Sequence, residues 1–197
     1  MHRMSRFSRS FGFLVLLSLV LVALVTTSFA DDAEDAAVEP PASEAPGELS
    51  WAAESDRYQA DGRFTRWSFT EIDIPDGDLT KGRVVMEVDL ASVWEKADGL
   101  VEHLKTADFF EVSKYTTATV EIHDARSTGE STYEATATMT LHGNTKDVPI
   151  TFTVVGTEPL TIEGTATVSR TAFGIGEPGG SILDEVQIAL AAEVPQS

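Results

Sequence analysis

Past residue 30 the chain carries three histidines, His103, His123 and His142, and it has no cysteine anywhere. No two of the three stand at the close spacing by which a helix or strand presents a pair of imidazoles to one metal ion. A metal site would have to recruit distant carboxylates, so neither a metal nor a cofactor is expected. Nucleophile patterns are missing as well: there is no Gly-x-Ser-x-Gly and no phosphate-cradling glycine loop ahead of a helix. The acid–base pair that can be nominated is His103 with a nearby carboxylate, which is thin ground for catalysis, and the chain is read as non-enzymatic. Arg170 is a sharper feature. It interrupts the apolar end of an alternating run, directly after Ser169 and ahead of Phe173. A partly buried guanidinium demands an anion or several acceptors. It could meet a phosphate or carboxylate headgroup at a cavity mouth. An internal ion pair is the favoured expectation, because conspicuous charges usually find partners within the fold.

The elements that would position these groups are mostly strands. Val84, Met86, Val88 and Leu90 alternate with Arg83, Val85, Glu87 and Asp89, and Ala135, Ala137, Met139 and Leu141 alternate with Thr136, Thr138 and Thr140. Val148, Ile150, Phe152 and Val154 form another such row, as do Ile162, Gly164, Ala166 and Val168, and then Val186, Ile188, Leu190, Ala192 and Val194. Period two with many Thr and Val predicts half-buried strands. Further strands are expected over Arg63–Glu71 and Thr117–Asp124. Turn signals at Pro75-Asp76-Gly77-Asp78, Ser127-Thr128-Gly129-Glu130 and Gly143-Asn144 separate the runs. Residues 91–110 lack alternation. Leu100, Val101 and Leu104 have helical spacing, and Ser92 with Glu95 fits a capping box, so one or two short helices are predicted there. The expected fold is all-β, an antiparallel lipocalin-like barrel of about eight strands with one short helical insertion.

The inward faces are rich in small residues, among them Ala135, Ala137, Gly164 and Ala166. A barrel of about eight strands is either filled by its side chains or holds one small ligand. Phe64, Trp67, Phe69, Phe109, Phe110 and Phe152 could fill it, so alternation alone leaves cavity and filled core open. If there is a cavity, Phe69, Met86, Val88, Leu104, Phe109, Phe110, Met139, Phe152 and Phe173 are its candidate apolar lining, with His103 and Arg170 as candidate polar contacts.

Around this domain lie two zones of different composition. Residues 1–30 combine a basic head (Arg3, Arg6, Arg9), an apolar run from Phe11 to Val25 and a Ser28-x-Ala30 site, which reads as a secretory signal peptide cut after Ala30. Residues 31–49 hold seven acidic residues and no basic one, and read as a disordered acidic linker. The domain is then expected over 50–197, exported to a periplasmic or extracellular space, with no stable membrane insertion after cleavage. Net charge is −18, and loss of the three leader arginines leaves −21. A polyanion repels nucleic acid and anionic headgroups, so no nucleic-acid partner is expected. Nothing in the sequence speaks to oligomeric state.

Four blocks together resemble the YceI-like, lipocalin-like family: Val88 to Val93 (VDLASV), Leu100 to Phe110 (LVEHLKTADFF), Met139 to Val148 (MTLHGNTKDV), and Val168 to Ile175 (VSRTAFGI) followed by Asp184-Glu185-Val186. They occur in the family's order across about residues 62–194. The resemblance implies an extended antiparallel barrel that encloses a long apolar chain, such as a polyisoprenoid, in a family with many exported members. It also implies that His103, inside a matched block, orients the helix or touches a ligand headgroup, with a hydrogen-bonded structural histidine as the alternative. The chain departs from the pattern at Leu49–Ala60, where a His-Ser pair and a longer apolar strand are usual, and at Thr116, where the family has proline after the aromatic residue. The function expected is lipid carriage or sequestration. The alternative is an envelope or stress-related interaction module with a filled core.

Overall fold

Alternating side chains need a sheet with a wet face and a dry face, and the chain supplies one sheet that curls so its dry face looks inward. A computed structural model describes residues 42–195. The expected signal peptide and most of the acidic linker fall outside that range. The strands are β1 (Gly47–Ser55), β2 (Gln59–Phe64), β3 (Trp67–Asp73), β4 (Arg83–Asp89), β5 (Val93–Trp94), β6 (Thr117–Ser127), β7 (Thr132–Leu141), β8 (Asn144–Thr157), β9 (Leu160–Ser169) and β10 (Ile182–Val194), with helix α1 (Asp98–Leu104) between β5 and β6. They form one sheet in the order β3-β4-β6-β7-β8-β9-β10-β1-β2-β5, and every pairing is antiparallel.

Ten strands replace the expected eight or so, for a local reason. The strand expected over Arg63–Glu71 is broken at Thr65-Arg66, so β2 borders β1 while β3, further along the same path, borders β4. β5 adds only two residues beside β2. The sheet also takes in residues ahead of Ser50. β1 starts at Gly47, and the Ser43 hydroxyl and Glu44 N–H both donate to the Thr65 carbonyl.

The break at Thr65-Arg66 is where the two ends of the sheet meet. Thr65 N–H donates to Ser92 O (3.1 Å) and Asp89 N–H donates to Arg66 O (3.0 Å). The buried Ser92 hydroxyl accepts from Arg66 N–H (3.0 Å) and donates to Asp89 O (2.6 Å). Asp89 accepts Ala91 N–H with one oxygen and the Arg66 guanidinium with the other. Asp89 and Ser92 therefore close a seam. The capping box expected of Ser92 and Glu95 does not form. Ser92 is taken up by the seam, Glu95 accepts Ala97 N–H (2.6 Å), and α1 starts after Ala97 without a side-chain cap.

At the far side of the sheet, β7 and β8 meet in a two-residue turn, with Leu141 opposite Asn144. His142 and Gly143 both have positive φ, 51° and 75°. This is the primed geometry that matches strand twist, and glycine takes its second position without a Cβ penalty. The turn is thus His142-Gly143, one residue ahead of the expected Gly143-Asn144.

Replacing Ser92 with alanine removes an acceptor from Arg66 N–H and a donor to Asp89 O inside a buried seam. A loss of about 1–3 kcal/mol is expected, read as a lower urea midpoint at unchanged slope.

Candidate functional site

The inward faces of the strands do not meet. Between them lies a cavity of about 510 Å³ that runs along the inside of the sheet. At one end it is walled by Leu100, His103 and Leu104 of α1, by Phe109 and Phe110, and by Ser181 and Ile182 ahead of and within β10. At the other it reaches Ile74 and Leu79 of the β3–β4 connection, Leu160 at the β8–β9 turn and Val194 at the end of β10. The reason for the void is visible in the strands. Ala137, Gly164 and Ala166 face inward at mid-height, where bulkier residues would fill the space.

Ten of the eleven residues nominated from sequence border this cavity: Phe69, Met86, Val88, His103, Leu104, Phe109, Phe110, Met139, Phe152 and Arg170. Phe173 does not. It is 1% exposed and packs with Val148, Val168 and Ile175 in the wall behind the cavity, because the turn Thr171–Phe173 folds its ring back under β8 and β9. The candidate lining leaves out Trp51, Ile188 and Leu190, all of which border the cavity, although Ile188 and Leu190 belong to the last alternating row. Trp51 sits in a stretch that reads as polar, LSWAAES, so its inward orientation shows only once β1 is paired with β10.

Polar groups at the cavity are few. The Trp51 indole N–H is buried and has no protein acceptor. His103 meets the ring of Phe109 edge to face, centroids 4.9 Å apart. Among the described residues it forms no ion pair, so the acid–base pair considered from sequence is not assembled. Arg170 is 6% exposed, and its partners correct the expected ion pair. Its guanidinium donates to four backbone carbonyls, Ile175 O (2.8 Å), Glu177 O (3.1 Å), Ile182 O (2.8 Å) and Leu183 O (3.0 Å). The loop between β9 and β10 wraps around it, so several neutral acceptors take the place of one carboxylate. Gly176, with φ of 66°, lies so close that a Cβ there would come within 2.6 Å of the guanidinium.

Asp184 completes the anchor. It accepts from Ser169 Oγ (2.6 Å), Thr171 N–H (3.0 Å) and Thr171 Oγ1 (2.5 Å). These hydrogen bonds, Ser169 first, hold its carboxyl at about 2, below the ordinary 3.8.

A curled antiparallel sheet around an elongated apolar cavity, with a short helix at one end and few polar groups at the cavity, defines an all-β half-barrel. The sequence places it more narrowly: the family model of the YceI-like domain matches residues 44–194, and the chain belongs to that family. It is similar to a UPF0312 protein of Ectopseudomonas mendocina, 37% identical over 99 residues, which is 47% of this chain and 52% of that one. A UPF0312 protein of Pseudomonas savastanoi pv. phaseolicola is 32% identical over 126 residues, 60% of this chain and 65% of that one. The chain thus spans about half the length of the first of these curated relatives and 65% of the second. Among solved structures, Burkholderia cenocepacia BcnA superposes with a TM-score of 0.68 at 22% identity, covering 76% of this chain and 96% of BcnA. A polyisoprenoid binding domain from Saccharophagus degradans superposes with a TM-score of 0.54 at 19% identity, covering 76% of this chain and 94% of the domain. At these identities the superpositions speak for the fold alone.

Two outcomes follow from the anchor. Arg170→Leu leaves four carbonyls without their donor and is expected to lose about 3 kcal/mol, with amide exchange accelerating first over residues 175–183. The carboxyl of Asp184 is more acidic folded than unfolded, so its stabilisation is present above the unfolded value near 4 and disappears as pH falls through about 2. Acid titration followed by amide exchange in this loop should show that window, and Asp184→Asn should remove it.

Proposed function

We propose that this protein binds a long apolar chain of the isoprenoid type inside the curled sheet, and carries or sequesters it in the aqueous space outside the cytoplasmic membrane. The observation that carries the reading is the cavity itself: about 510 Å³, continuous from α1 to the β8–β9 turn, bordered by aliphatic and aromatic side chains. Such a space offers a ligand little besides escape from water. Each ~100 Å² of apolar ligand surface removed from water contributes about 2.5 kcal/mol. Length and bend, set by the run of the cavity past Phe69, Met139 and Phe152, then decide what is accepted. Membership of the YceI-like family and the resemblance in fold to a polyisoprenoid binding domain support an isoprenoid over a straight acyl chain. The leader-like composition of residues 1–30 supports export. A module with a filled core fits poorly with a void of this size.

The test is purification without detergent, solvent extraction and mass spectrometry of the extract. A prenyl lipid at near one per chain is the expected result. A protein that carries no lipid, and takes up none when prenyl alcohols of graded length are offered, overturns the reading. Ala166→Phe places a ring at mid-cavity between Ile150 and Ile188. Uptake is expected to fall at least ~10-fold, equivalent to about 1.4 kcal/mol, while the urea midpoint holds or rises because a void is filled.

A further inference from the structure

A lipid-filled cavity needs an entrance, and the exposure of its lining shows where that entrance is. Glu54, Tyr58, His103 and Ser181 border the cavity and are also well exposed, and all four lie at the α1 end. One other exposed lining residue, Thr165, sits at mid-sheet on β9. The opposite end is lined by Ile74, Leu79, Leu160 and Val194, all buried or half-buried.

The surface around this mouth differs from the rest of the molecule. Three large apolar side chains of the described residues are conspicuously exposed, and two of them stand here: Tyr58 at 59% and Leu183 at 48%. The β1–β2 turn that bears Tyr58 and the start of β10 that bears Leu183 are tied together, because Asp56 N–H donates to Ser181 O (3.0 Å) and Ser55 lies opposite Ile182. Arg170 holds the carbonyls of Ile182 and Leu183 from below, so the rim is a fixed edge. At the tip of the β1–β2 turn, Arg57 is exposed and has no carboxylate partner among the described residues, in a chain that carries 32 acidic residues against 14 basic.

We infer that this rim, Arg57, Tyr58 and Leu183, is a docking surface for a zwitterionic phospholipid bilayer, through which the cavity exchanges its ligand with the lipid phase. The inference rests on the lipid-binding reading of the cavity. A tyrosine places its ring among acyl chains and its hydroxyl among headgroups, and a neighbouring arginine reaches the phosphate plane. Leu183 adds apolar area next to Ile182, which with Tyr58 and Ser181 borders the cavity, so a chain can leave the bilayer beside this rim without crossing water. The surrounding acidity, including Glu54 and Asp56 beside the tip, disfavours an anionic surface and points to neutral lipid. With two apolar side chains the contact is weak and transient, as exchange requires.

The absence of cysteine makes the test direct, since one introduced cysteine is the sole labelling site. Gln59→Cys beside the rim and Thr128→Cys at the β6–β7 turn of the opposite end are each labelled with a polarity-sensitive fluorophore in the full chain and mixed with phosphatidylcholine vesicles. The Gln59 probe should shift to the blue and brighten, and the Thr128 probe should not. Adding Tyr58→Ser and Leu183→Ser to the Gln59-labelled protein should weaken the vesicle response at least ~10-fold, and phosphatidylglycerol in the vesicles should weaken it too. A silent Gln59 probe, equal responses at both ends, no effect of the double substitution, or a response that grows with anionic lipid would each overturn the docking surface. The readout needs no ligand in the cavity. Docking without any prenyl lipid recovered therefore defeats the carrier reading alone, and recovered prenyl lipid with a silent probe defeats the docking surface alone.

Discussion

The curled sheet depends on one seam. A sheet that curls around a void has to join its ends, or the inward apolar faces open to water and the unpaired edges recruit other chains. Here the joint is made by a break in one strand path, where Thr65 and Arg66 turn their backbone groups toward Asp89 and Ser92. Ser92 acts as both donor and acceptor there, and Asp89 fixes the turn that presents it. The seam lies beside the α1 insertion, so the same few residues that join the sheet also launch the cover over one end of the cavity.

Holding a void carries a standing penalty, since its lining forgoes dispersion contacts that a packed core would make. The chain has no disulfide to offset it. Support comes instead from three packed clusters around the cavity. One gathers on Trp67, Met86 and Leu90, another on Phe173 and Val148, and the third on Trp51, Val93 and Leu104. The second is fastened by the Arg170 anchor. A cation surrounded by four carbonyls does for the β9–β10 loop what a crosslink does elsewhere, and its own charge is buried rather than presented to solvent.

Much of this was legible in the chain. Period-two alternation marked the inward faces of β4, β7, β8, β9 and β10, because a half-buried strand exposes its period in composition. Small residues at Ala137, Gly164 and Ala166 hinted at a void but left it undecided, since volume depends on what the opposing strand supplies. The failures have physical causes as well. The strand break at Thr65-Arg66 carries no proline or glycine, and the hydrogen bonds that stabilise it come from residues more than twenty positions away. Arg170 was read toward a carboxylate because side-chain types are visible in sequence and loop carbonyls are not. Phe173 is a candidate for the lining by residue type, yet the turn that carries it packs the ring with Val148, Val168 and Ile175. Ser92 and Glu95 had the right spacing for a capping box, and a longer-range claim on Ser92 prevailed.

The register of β1 has a further meaning. It lies between β10 and β2, pairing Gly47 with Ala192 and Leu49 with Leu190, partners some 140 positions away. β1, the first strand of the described residues to leave a ribosome, therefore waits for β10. Hairpins such as β6–β7 and β7–β8 can form locally, while β1 cannot join the sheet until β10 has been made. Folding of this kind is slow and late, and a chain that stays open until its final strand arrives is one that can still be threaded elsewhere while it is being made.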